Sequence, residues 1–281
     1  MKLPKVNSGI WIAIGVMVVS LSLPIIARAQ GTTNAGPVNN TLTQGDANQA
    51  VRQIQEQSLG DPKAEQAYEK FHGAKDLDQK IKLGREFINR YAISYHADEV
   101  YEELAQAYYA KHDMPGFYAC VDEGMARFPE DPTLLAVTGA TMARAYNRAE
   151  PDAAKNLEKA ENYVKHAIEL MKNPKLPAYM SDDQFTLYKK QVLATAHSGL
   201  GLIYFRQARF DDSVKELQEA TQNAATPDPT DYLVLGGSYQ NLNKFKEAAE
   251  AFNQCAQIAG PLQAGCKSYA DQSLKQAAQT R

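Results

Sequence analysis

Residues 229–260 read PTDYLVLGGSYQNLNKFKEAAEAFNQCAQIAG, and the spacing inside this stretch decides the fold. Counted from Pro229, Tyr232, Leu235-Gly236, Tyr239, Ala248, Phe252 and Cys255 fall at the fourth, seventh, eighth, eleventh, twentieth, twenty-fourth and twenty-seventh places. Apolar residues recur every three or four positions on both sides of a polar interval, the period of two amphipathic helices joined by a short turn. Counted from Ala194, 35 residues earlier, the same places hold His197, Leu200-Gly201, Tyr204, Ser213, Leu217 and Ala220. Counted from Asp98 they hold Tyr101, Leu104-Ala105, Tyr108, Phe117, Val121 and Gly124, with Pro129 at the thirty-second place. Small residues at the eighth and twentieth places let paired helices approach, and the large apolar ones interlock between them. A single pair cannot bury both of its faces, so the pairs must stack.

Two further pairs fit more loosely. From Pro132 the pattern supplies Leu135, Gly139 and Met142, but the matching small residue of the second helix, Ala160, comes about nine places late, followed by Val164 and Ala167. Pro151 suits the first position of a helix, so the extra length is expected to add turns to both helices of this pair. The first pair, Pro62 to Tyr91, keeps Tyr68, Phe71, Ile81 and Phe87 at helical spacing without the small residues. Asp61-Pro62, Asp131-Pro132 and Asp228-Pro229 each put a capping acceptor before a proline at a helix start. Ser181-Asp182-Asp183-Gln184 reads as a capping box opening a long helix that ends near Arg206. Leu262 to Gln279 reads as one last amphipathic helix, and strand patterns are absent.

This pattern resembles the tetratricopeptide repeat, over essentially all of residues 61–281. The resemblance implies an all-α, right-handed α-solenoid of stacked antiparallel helix pairs: about five pairs plus a C-terminal helix. A narrower likeness lies in Phe87-Ile88-Asn89-Arg90-Tyr91-Ala92-Ile93-Ser94-Tyr95-His96-Ala97 and Glu103-Leu104-Ala105-Gln106-Ala107-Tyr108-Tyr109. These segments are similar to repeat junctions in bacterial envelope proteins of the outer-membrane assembly and cell-division coordinator type, except that Ala92 stands where those families usually carry proline. They cover about a fifth of the ordered chain and point to a compartment rather than a role.

The amino terminus agrees with that compartment. Lys2 and Lys5 precede an uncharged apolar run from Ile10 to Ile26, and Ala27-Arg28-Ala29 supplies small residues for a signal peptidase. Residues 1–29 therefore read as a signal peptide cleaved before Gln30, the alternative being an uncleaved anchor. Residues 30–60, rich in Gly, Asn, Thr and Gln, read as a disordered polar leader. Loss of the three signal cations takes the formal charge from −3 to about −6, and no basic stripe of the kind that displaces phosphate counterions is present. Nucleic acid and anionic membrane surfaces are thereby disfavoured as partners, and the chain is expected to be periplasmic or secreted.

Catalytic constellations are not found. The histidines at 72, 96, 112, 166 and 197 do not share a helix face at metal-ligand spacing, so no metal site is expected; His197 reads as a core or half-buried residue and the others as surface residues. Gly199-Leu200-Gly201 lacks the third glycine and the preceding strand of a nucleotide-binding turn, and Gly201 has a packing reason to be small. No nucleophile motif or phosphate-cradling loop occurs, and no cofactor or small-molecule substrate is indicated. Cys255 and Cys266 lie five residues either side of Gly260-Pro261, level with one another across an antiparallel turn, and are expected to form a disulfide worth roughly 2 to 3 kcal/mol. Cys120 reads as a core residue.

In tetratricopeptide stacks the first helix of each pair lines the concave face. Carried over place by place, the resemblance implies a groove of Glu99, Glu102, Gln106 and Tyr109, then Arg144, then Leu202, Phe205 and Arg206, then Leu233, Gln240 and Asn241. Rigid aromatic area, arginines that can fork onto carboxylates and amides that can bond to extended backbone suit a protein or peptide. The carboxylate clamp of some family members is present only in fragments and is not carried over. The sequence thus leads to a non-enzymatic adaptor that binds a protein or peptide, with a structural homo-oligomeric scaffold as the alternative.

Overall fold

The computed structural model describes residues 61–176 and 180–279. The signal segment 1–29 and the leader 30–60 lie outside the described residues. Among the described residues, eleven α-helices and no strand occur: α1 Pro62–His72, α2 Leu77–Arg90, α3 Ala97–Ala110, α4 Met114–Arg127, α5 Pro132–Ala145, α6 Ala153–Leu170, α7 Asp182–Arg206, α8 Phe210–Asn223, α9 Pro229–Asn241, α10 Phe245–Gln257 and α11 Gln263–Gln279.

Local chemistry sets the helix starts. Asp61, Asp131 and Asp228 cap α1, α5 and α9, accepting from the backbone N–H of Lys63, Leu134 and Thr230, with proline in the first turn of each helix. Ser181 and Gln184 make a reciprocal capping box at α7. Consecutive helices then pack as pairs, α1 with α2 through α9 with α10, and first helices stack on first helices: α1 on α3, α3 on α5, α5 on α7 and α7 on α9. Helix α11 packs on α10, so the fold is five pairs closed by a single helix. One contiguous core runs through the first four pairs and reaches Val234, Leu235 and Ala251 of the fifth, and a smaller cluster of Ala248, Phe252 and Ala270 fastens the last helix.

The eighth-place glycines have a specific use. A Cβ at Gly236 would lie 2.6 Å from the Phe252 ring, one at Gly201 2.5 Å from Leu217 Cγ, and one at Gly139 2.6 Å from Val164 Cγ1. In each of these three pairs the notch at the eighth place receives the large residue of the second helix, including in the pair whose spacing is irregular. Gly84, on the second helix of the first pair, is a similar notch, where a Cβ would meet Leu104 of α3 and Phe71 of α1.

A second recurrent feature is conformational. His112, Ala208 and Asn243 have φ of 58°, 59° and 57° and all occupy the fifteenth place of their registers, at the turn between the two helices. Each donates its N–H to a carbonyl of the helix just ended, at Tyr109, Phe205 and Gln240. Glycine adopts this conformation without a steric penalty, while alanine has neither that freedom nor a polar side chain to offset the strain. Ala208→Gly is therefore expected to stabilise the fold by about 0.5–1 kcal/mol, visible as a higher urea midpoint at unchanged slope.

The irregular third pair departs from expectation. Helix α5 has ordinary length, and the additional residues fall in the 146–152 connection and in the 18-residue α6. Pro151 lies in the turn, one residue before the Asp152 cap, because Tyr146 leaves the helix with φ −52° and ψ 120° and ends α5 early. At the far end, Cys255 of α10 and Cys266 of α11 are joined by a disulfide with Cα atoms 5.8 Å apart, and Cys120 is a buried free thiol whose pKa is pushed up to about 12 by desolvation.

Candidate functional site

The stacked first helices bring together residues far apart in sequence. Tyr109 near the end of α3, Arg144 near the end of α5 and Arg206 at the end of α7 are electrostatic neighbours: burial raises the Tyr109 hydroxyl, and the two guanidinium groups oppose that rise. All three are half-buried. Arg206 donates to the carbonyl oxygens of Tyr146 and Arg144 at 3.4 and 3.3 Å, and its guanidinium stands 5.1 Å from the centre of the Tyr146 ring. These carbonyls belong to the orphan acceptors at the α5 terminus, so Arg206 both completes that helix end and complements its dipole. Burial lowers its pKa, and its Nε is buried with no hydrogen-bond partner. Arg144 reaches across to the Asp228 cap of α9 at 3.4 Å. Tyr146 and Asp228 therefore belong to the site, although neither occupies a groove place in the repeat.

On the α3 side the groove turns acidic. Glu102 is half-buried, and desolvation together with the neighbouring carboxylates of Glu99, Asp131, Glu103 and Asp98 holds its pKa well above the usual range. Asp98 is raised in the same way, first by burial and then by Asp131, and its Oδ1 is buried without a hydrogen-bond partner. Gln106 donates to Glu102 from the next turn. Glu99 behaves oppositely: burial would raise it, but hydrogen bonds from His96 and Tyr68 prevail and lower it.

The remaining groove places are used by the fold itself. Leu202 is 8% exposed and belongs to the main core. Phe205 packs edge-on against Phe210 and lies against Gly237. Leu233 packs on the cluster that holds α11, and Gln240 donates to Ser273 of that helix at 2.9 Å. Asn241 is exposed and donates to its own helix at Gly237. The accessible part of the lining is thus concentrated on α3, α5 and the end of α7.

His197 is half-buried against Glu216 at 2.6 Å. His166 is half-buried 3.2 Å from Glu130, and His72 and His96 likewise differ from the expected surface residues: both are half-buried, and α1 packing on α3 sets them beside Glu103, Glu99 and Glu65. Their 24-residue separation gave no hint of this.

No family model matches the chain, and no curated protein matches it. Among solved structures the chain is similar to a thermophilic TPR protein of Thermus thermophilus, at 16% sequence identity over 80% of this chain and 98% of that one, with a TM-score of 0.48. The pairing of helices, the eighth-place notches and the repeated fifteenth-place turns settle the architecture by themselves. The fold is tetratricopeptide-like.

Proposed function

We propose that this chain is a non-enzymatic adaptor of the periplasm or cell envelope that binds a protein or extended peptide along the face lined by α3, α5 and α7. The observation that carries the reading is the convergence of Tyr109, Arg144 and Arg206 from three successive first helices, all half-buried and near enough that both guanidinium groups act on the Tyr109 hydroxyl and Arg206 donates to the Arg144 carbonyl. Such a surface offers rigid aromatic area and guanidinium donors that are partly desolvated before a partner arrives, which lowers the cost of ordering them on binding. The assignment to the envelope rests on the signal-like residues 1–29 and on the junction resemblance at residues 87–109.

The homo-oligomeric alternative has one observation in its favour. Leu274 of the closing helix is 51% exposed and lines a shallow depression with Ala249, Ala277 and Ala278.

In-cell photocrosslinking separates the two. With a benzophenone side chain at Gln106 and a control at Lys215 on α8, the adaptor reading expects one discrete heterologous adduct from Gln106 alone. Self-adducts would favour the scaffold, and the absence of any adduct at Gln106 would count against the groove.

A further inference from the structure

The junction of α1 and α3 gathers a cluster of side chains that shares only Glu99 with the groove. His72 Nδ1 lies 2.6 Å from Glu103 Oε1, and one ligand atom from each of His72, Glu99 and Glu103 lies within 4.8 Å of the other two. Glu99 and Glu103 are one turn apart on α3, so their carboxylates share a face, and His72 meets them from the end of α1. Tyr68 stacks on His96 with ring centres 3.8 Å apart, and His96 reaches Glu99 at 3.5 Å and Glu65 at 3.1 Å. Three carboxylates therefore converge here, and Lys80 pairs with Glu103.

From this placement we propose a divalent transition-metal site, of the zinc class, formed by His72 Nδ1, Glu99 and Glu103. The proposal shares Glu99 with the groove and does not rest on the groove reading. One imidazole and two carboxylates are a nitrogen–oxygen donor set that suits zinc better than calcium or magnesium, which take oxygen ligands. Tetrahedral zinc holds such ligands about 3.4 Å apart, so binding draws the three ligand atoms, now within 4.8 Å of one another, closer together. Binding requires the His72 proton to sit on Nε2, leaving Nδ1 free for the metal in place of the present bond to Glu103. His72 has a side chain 37% exposed, which opens the cluster to solvent, while a fourth position remains for water. Tyr68 and His96 are positioning residues that hold the Glu99 carboxylate toward the site, the role that outer hydrogen bonds play around metal ligands. Cys120 does not compete, being buried as a neutral thiol. A bound ion would clamp α1, the first described helix, onto the next repeat.

The test uses the untagged protein, stripped with chelator and titrated with zinc chloride by calorimetry, with cobalt absorption as a second readout. One equivalent per chain is expected, together with a higher melting temperature and a visible cobalt spectrum of tetrahedral intensity. His72→Asn and Glu99→Gln should each weaken binding about tenfold or more. Lys80→Met should tighten it, because it removes the cation that competes for Glu103, and this gain cannot be produced by misfolding. Absence of saturable zinc binding, or binding unchanged in all three variants, would overturn the proposal.

Discussion

Gly199→Val is expected to cost about 3 kcal/mol or more. Gly199 lies where α7 crosses α5, and a Cβ there would stand 2.9 Å from the Ala140 Cα and 3.1 Å from Val164 Cγ1. The obstruction is partly backbone, so it cannot be relieved by a rotamer change, and the two first helices must move apart. That separation opens the core along Ala136, Ala140 and Ala196, whose small side chains match the close approach. A helix-propensity gain offsets little, since valine loses rotamer freedom on a helix. Gly265→Ala provides the control of opposite sign. On α11 an added Cβ meets only Tyr269 at 4.0 Å, so the substitution should stabilise by about 0.5–1 kcal/mol through propensity alone. Urea unfolding followed by circular dichroism measures both. Equal effects at the two glycines would show that packing at the α5–α7 crossing is not limiting.

Asp231→Asn should stabilise the protein at pH 8 and leave it nearly unchanged at pH 4. Asp231 is 6% exposed in the first turn of α9, where Ser198 of α7 donates to its Oδ1 at 2.6 Å. Burial, and then the Asp228 carboxylate, raise its pKa to about 7, while the Ser198 hydrogen bond and Arg144 of α5 pull the other way without prevailing. An unfolded aspartate titrates near 3.9, so from about pH 4 to pH 7 the folded state holds a proton that the unfolded state has released. Its stability contribution is therefore complete below about pH 4 and is lost as pH rises through the folded value. Three pKa units correspond to an upper figure of about 4 kcal/mol, and relaxation around the carboxylate brings the expected gain at pH 8 to about 2–4 kcal/mol. The asparagine keeps an acceptor for Ser198 and carries no charge. A pH series of thermal midpoints should show the variant's advantage growing between pH 4 and 7 and then levelling. A constant difference across the series would mean that Asp231 is ionised in the fold at neutral pH.

Both predictions fall on residues that the repeat pattern marks only in part. Gly199 lies inside a helix, as its sequence context indicates, but the eighth-place rule explains Gly201 and not its neighbour two residues earlier. Gly201 faces its own pair partner, and Gly199 faces the preceding pair. Asp231 sits three residues after the Asp228 cap and has the sequence context of another acidic residue favouring a helix start. Its burial against α7 gives it the opposite character.

What the sequence determined by itself is the set of helices and their pairing. Helix formation depends on contacts three and four residues apart and on caps one turn long, so apolar spacing gave the paired helices, and the Asp-Pro and Ser-x-x-Gln signatures placed the starts of α1, α5, α7 and α9. The turn at Cys255 and Cys266 was legible for the same reason, since both cysteines are close to one loop. Tertiary structure alone decided which side chains meet between pairs, because that depends on crossing geometry between helices tens of residues apart. Tyr109, Arg144 and Arg206 converge, and Leu202, Leu233 and Gln240 are claimed by the core and by α11, through contacts that no local period encodes. The same geometry joins His72 to Glu99 and Glu103.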